Sequence, residues 1–201
     1  MSILSYSKQD AICDASREGQ QQRVETLLQH GALVNKTTGE NGRTPLHAAC
    51  FGGHNQIVNI LIAHGAIVNM AKTDTGSTPL DAAASNGHHL VVETLLKHGA
   101  IVNIVGTYGE TPLFHASRKG FPQIVETLLK HGATADCLTN DGMTPMSVAV
   151  SNKHKDVVKL LRYFTEPTAQ HSVVMAMSML KEIFVYHEIE CLSIIELLQM
   201  I

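Results

Sequence analysis

The chain has little charge and no excess of basic residues. Charged residues make up 16 % of its 201, and the formal net charge is −3. A surface built for nucleic acid carries a basic excess, because it must neutralise rows of phosphates. Direct nucleic-acid binding is therefore not expected, nor is docking on anionic lipid. Cysteine is also scarce. Cys13, Cys50, Cys137 and Cys191 show no C-x-x-C spacing. A disulfide scaffold would be shorter and denser in cysteine, so a reducing compartment is expected, the cytoplasm first and the nucleus also open. No run of 18 or more uncharged apolar residues occurs. The nearest, 173–201, carries Lys181, Glu182, Glu188, Glu190 and Glu196, so no membrane insertion is expected. No basic stretch followed by an apolar run opens the sequence, so no secretory signal is expected either.

What the chain does have is self-similarity. Thr-Pro pairs stand at Thr44-Pro45, Thr78-Pro79, Thr111-Pro112 and Thr144-Pro145. A second marker, His-Gly-Ala, begins at His30, His64, His98 and His131. Both advance by 33 or 34 residues and stay in phase, which identifies a repeat architecture. Each repeat makes physical sense. Threonine caps a helix whose first residue is proline, where the missing N–H costs nothing. Glycine at 53, 87 and 120 ends that helix. A second helix carries an apolar stripe such as Ile57, Val58, Leu61 and Ile62, and Gly65 stops it. Tight turns at Asn41-Gly42, Thr75-Gly76, Tyr108-Gly109 and Asp141-Gly142 join one pair to the next.

The stretch Thr44-Pro45-Leu46-His47-Ala48-Ala49, followed by Gly53-His54, Val58, Leu61 and Gly65-Ala66, resembles the ankyrin repeat almost position for position. The resemblance covers about 8–164. It implies an all-α solenoid of helix pairs joined by β-hairpin-like loops, with about five repeats at 8–40, 41–74, 75–107, 108–140 and 141–164. The first lacks the Thr-Pro start. The last has Lys153 where the others have glycine. Deviant terminal repeats are expected, because one side of each faces water. Residues 165–201 are expected to form a helical C-terminal extension. Three readings of it stay open: a cap on the last repeat, a docking helix for a partner, or the end of a fragment or mispredicted gene.

The abundant histidines invite a metal hypothesis, which spacing defeats. Stacked helices sit ~8–10 Å apart, whereas zinc holds its ligand nitrogens ~2 Å away, so His30, His64, His98 and His131 cannot share an ion. Each should instead engage free carbonyls at its helix end. Cys50 and His54 are separated by a helix-ending Gly52-Gly53 and make no nucleophile pair. Asn35, Asn69 and Asn103 sit where a side-chain hydrogen bond would pin the hairpin, in a context that resembles hydroxylated ankyrin asparagines. No catalytic group, cofactor or metal is expected.

The resemblance implies a non-catalytic protein–protein interaction module, an adaptor, scaffold or inhibitor, monomeric by itself. Its partner, another protein, would meet the concave helix face and the hairpin tips. Transferred to this chain, the candidate contact residues are Arg17, Phe51, Asn86, His115, Arg118 and Lys119 on first helices, and Met70, Ile104, Tyr108 and Leu138 on hairpins. Phe51 is an aromatic at a usually polar place, and aromatics are enriched at hot spots. The alternatives are a substrate-recognition subunit of a ubiquitin ligase, with 168–201 recruiting the machinery, or the interaction fragment of a longer protein.

Overall fold

The computed structural model describes residues 8–39 and 41–166. The expectations for 167–201 therefore lie outside the described residues. By its contacts the chain divides into Met1–Tyr163 and Phe164–Ile201. Only the last few residues of a helix are described in the second part.

Among the described residues there are ten helices. They come in pairs: α1 (Lys8–Glu18) and α2 (Gln21–Gln29), α3 (Pro45–Gly52) and α4 (Asn55–Ala63), α5 (Pro79–Asn86) and α6 (His89–Lys97), α7 (Pro112–Lys119) and α8 (Pro122–Lys130), α9 (Pro145–Ser151) and α10 (Lys155–Thr165). The first helices pack in a row, α1 on α3, then α5, α7 and α9, and α2, α4, α6 and α8 form a second row beside it. This is the all-α repeat stack that the resemblance implies. Helices of seven to eleven residues would be marginal alone, so each depends on its neighbours for burial.

The starts are built as the Thr-Pro pairs suggest. The Oγ of Thr44, Thr78, Thr111 and Thr144 accepts from the backbone N–H three residues on, at 3.0–3.2 Å. Leu46, Leu80 and Leu113 beside them are fully buried, each worth about 1.5–3 kcal/mol relative to exposure. Ala49, Ala83, Ala116 and Ala149 have no exposed surface at all, and their small side chains let the first-helix row close up. The second helices bury Ile57, Val58 and Leu61, then Val91, Val92 and Leu95, then Ile124, Val125 and Leu128.

The connecting loops are tighter than hairpins with paired strands. One isolated antiparallel bridge joins Thr38 to Arg43. The next three loops are closed by Lys72 N–H to Ser77 O, Gly106 N–H to Glu110 O, and Thr139 N–H to Met143 O, at 2.9–3.0 Å. Neighbouring tips are tied together by Thr107 N–H to Thr75 O and Asn140 N–H to Tyr108 O.

Two further ties cross between repeats. The amide of Asn35 donates to Gly65 O at 2.9 Å, and its Oδ1 accepts from Ile67 N–H at 2.8 Å. Asn69 does the same to Gly99 and Ile101, and Asn103 to Gly132 and Thr134. The asparagines thus pin the following repeat rather than their own hairpin alone. In the other row, His54 Nε2 donates to Arg17 O, His88 Nε2 to Phe51 O and His154 Nε2 to Arg118 O, at 2.9–3.0 Å. These rings lie over Gly19, Gly53 and Gly120, where a Cβ would collide with them. Those glycines are also left-handed, with φ near +75° to +78°, so the position is closed to other residues twice over. Lys153 holds the same conformation, φ 61°, without glycine's freedom.

Replacing Asn69 by alanine removes one side chain that satisfies two backbone groups. The expected loss is about 1–2 kcal/mol of unfolding free energy in urea titration, with the helical signal of the folded state unchanged. A loss below about 0.3 kcal/mol would show that water replaces the asparagine without cost.

Candidate protein-binding face

Between the first-helix row and the loop tips of the second to fourth repeats lies a cleft with a volume of about 270 Å³. The Thr-Pro caps set its floor. The third residues of the capped helices α3 and α5 are His47 and Asp81, and both line the cleft. Its walls include Phe51 and Ser85 from the helices, Lys72 and Tyr108 from the loops, and a polar group of Glu110, His115 and Arg118.

That polar group is internally paired. Arg118 Nη1 lies 2.8 Å from Glu110 Oε1, Arg118 Nη2 donates to His115 Nδ1 at 3.2 Å, and the guanidinium sits 5.7 Å from the centre of the Phe114 ring. His115 Nε2 faces Glu110 Oε2 at 3.8 Å. Burial holds the His115 pKa below its ordinary value, Glu110 opposes that and Arg118 adds to it. A neutral imidazole is what an arginine N–H donating to Nδ1 requires. Lys72 is paired in turn with Asp74 at 3.1 Å.

The floor is different. His47 is 5 % exposed and Asp81 2 %. Asp81 Oδ2 accepts from both the N–H and the hydroxyl of Thr78, at 2.8 Å, completing the α5 cap. Asp81 Oδ1 and both ring nitrogens of His47 make no hydrogen bond among the described residues. Burial drives the Asp81 pKa up to about 6 from its usual 3.8, against the Thr78 hydrogen bonds, with Glu110 adding to the rise. Burial, helped by Lys72 and Arg43, drives His47 down to about 4 from 6.5. At neutral pH the floor therefore presents one carboxylate without a cation and one neutral imidazole.

Of the residues expected from sequence, the cleft gathers Phe51, Tyr108, His115 and Arg118. Phe51 is 49 % exposed and Tyr108 63 %. Leu138, at 65 %, lies on the next tip and does not line the cleft, and Val105 is exposed on the loop that carries Tyr108. Ile104 and Met70 are half-buried. Arg17 and Lys119 are exposed at the ends of α1 and α7 and do not line the cleft. Asn86 is turned back on its own helix, its amide donating to Ala82 O at 2.8 Å. Sequence reasoning missed His47, Asp81 and Glu110. The signal was present: the residue after Thr-Pro-Leu changes from His47 to Asp81 to Phe114 while its surroundings stay fixed.

Three of the four stacked histidines at the second-helix ends engage the carbonyl expected of their place. Nδ1 of His30, His64 and His131 donates to the carbonyls of Thr26, Ile60 and Thr127, at 2.7–2.8 Å. Cys50 is fully buried, which drives its thiol pKa upward and removes it as a nucleophile.

A family model described as ankyrin repeats (3 copies) matches residues 12–106 and 101–171. Comparison with curated proteins gives no match.

The two floor residues carry opposite pH signatures. The raised Asp81 pKa means the folded state takes up the proton first, so its contribution to stability grows as pH falls from about 6 to 3.8. The lowered His47 pKa means the unfolded state protonates first, so stability falls as pH drops from 6.5 to about 4. Each amounts to roughly 3 kcal/mol. Urea unfolding between pH 7 and 4 should show Asp81→Asn losing stability more steeply than wild type on acidification, and His47→Gln less steeply. Parallel curves for all three proteins would contradict the burial assigned to these groups.

Proposed function

Because this chain belongs to the ankyrin-repeat family, whose members generally serve as protein–protein interaction modules, we propose that it is a non-catalytic adaptor, scaffold or inhibitor that holds a partner protein on its first-helix row and loop tips. The observation that carries the reading is the convergence of Phe51, Tyr108 and Arg118 on one cleft. Two half-exposed aromatics and an arginine are the residue types that dominate binding energy where an interface closes over them. Leu138 and Val105 extend the apolar surface along the tips. Arg118 is held by Glu110 and the Phe114 ring before any partner arrives, so little of its freedom remains to be lost on binding. Free thiols at Cys13, Cys50 and Cys137 fit a reducing compartment, the cytoplasm or nucleus. No helix among the described residues is long and apolar enough to cross a membrane.

The test is affinity capture from native lysate with the wild-type chain and with a Phe51→Ala, Tyr108→Ala pair. Both side chains project from the surface, so the pair should keep its thermal midpoint within a few degrees. The expected outcome is a specific protein whose Kd weakens by thirtyfold or more, equivalent to about 2 kcal/mol. Undiminished capture by the folded double variant would place the binding surface elsewhere.

A further inference from the structure

We propose that the cleft between the second, third and fourth repeats is a receptor for one cationic side chain, a lysine or arginine of the partner, with Asp81 as its counter-ion and Phe51 and Tyr108 as its flanking walls. This rests on the protein-binding reading above and names the chemistry the partner must bring.

Four formal charges line the cleft. Arg118 and Glu110 cancel at 2.8 Å, and Lys72 is cancelled by Asp74 at 3.1 Å just outside. Asp81 remains. It is 2 % exposed, its Oδ1 makes no hydrogen bond among the described residues, and it forms no ion pair among them. Buried carboxylates are as a rule paired, because an unpaired one carries its full desolvation cost. An incoming cation relieves that cost, and an incoming anion or apolar group adds to it. The cap geometry fixes which oxygen is offered. Thr78 occupies Oδ2 through two hydrogen bonds, which leaves Oδ1, covered beneath the cleft floor, as the oxygen without a partner.

The walls suit the same ligand. Phe51 and Tyr108 are 49 % and 63 % exposed and both line the cleft. Aromatic faces attract ammonium and guanidinium groups and also cover the aliphatic stem behind the charge. The volume of about 270 Å³ admits one long side chain and excludes a folded element. The other repeats lack the set. The residue matching Asp81 is Phe114 in the fourth and Ser147 in the fifth, so a single cation is taken rather than a periodic row.

The probes are the N-acetyl, N-methylamide derivatives of lysine, arginine, norleucine and glutamate, titrated into the isotopically labelled full chain and followed by amide NMR. Saturable shifts centred on the amides of Thr78–Asp81 and Tyr108 are expected for lysine or arginine, at least tenfold tighter than for norleucine and absent for glutamate. Asp81→Asn keeps a cap acceptor, and Asp81→His supplies the residue that the second repeat carries at this place. Either should weaken the cationic probe at least tenfold. Equal response to norleucine, preference for glutamate, or no saturable shift with any probe would overturn the proposal. A captured partner that depends on Phe51 and Tyr108 but not on Asp81 would overturn it too, while leaving the protein-binding reading in place.

Discussion

At three of the four repeat boundaries one asparagine side chain fixes how the next repeat sits. Asn35, Asn69 and Asn103 each satisfy a glycine carbonyl and an amide N–H of the following repeat at once. These glycine carbonyls and amide N–H groups belong to exposed residues, so each bond adds about 0.5–1.5 kcal/mol and favours one register of the next repeat. The apolar stripes supply most of the stabilisation but are tolerant of sliding. The asparagine bridges are not. In the fourth repeat the equivalent residue is Asp136, and the fifth has no His-Gly-Ala, so the series stops where the repeat pattern stops.

A second fixed distance runs through the histidines that follow the helix-ending glycines. His54, His88 and His154 reach back to a carbonyl of the preceding first helix, across a glycine that leaves room for the ring. Phe121 takes that place in the fourth repeat, lying over Gly87 without a polar tip. With both rows held, the loop tips stand at fixed separation and tie to one another through Thr75, Thr107, Tyr108 and Asn140. The cleft is the space that this arrangement leaves. Its shape follows from the ties, and its chemistry from the few residues the ties do not constrain.

The fold was legible because the repeat markers are backbone requirements. Thr44-Pro45 can only start a helix well, and Gly53 can only end one, so their recurrence reads directly as helix boundaries. The outward positions of Phe51 and Tyr108 were legible by contrast with the frame around them. His47 and Asp81 were not, for a physical reason. They occupy a position that caps the helix and so looks structural, and only the packing of the following loop shows that Asp81 Oδ1 and the His47 ring are left over. The partner of Arg118 was hidden as well. Glu110 is eight residues away in sequence and crosses from loop to helix, a separation no helical periodicity reports. Asn86 illustrates the reverse error of proximity: it is surface-exposed but bonded to its own helix.

The central claim is that a partner is held on the first-helix and loop-tip side. Site-specific photo-crosslinking tests it most directly, with a benzophenone amino acid placed at Tyr108 in one protein and at Leu90 in another. Leu90 is 66 % exposed on α6, in the second-helix row. Crosslinking of a single protein from position 108 and of none from position 90, in native lysate, is the predicted result. The same protein captured from position 90 and absent at 108 would contradict the account and move the interface to the opposite row.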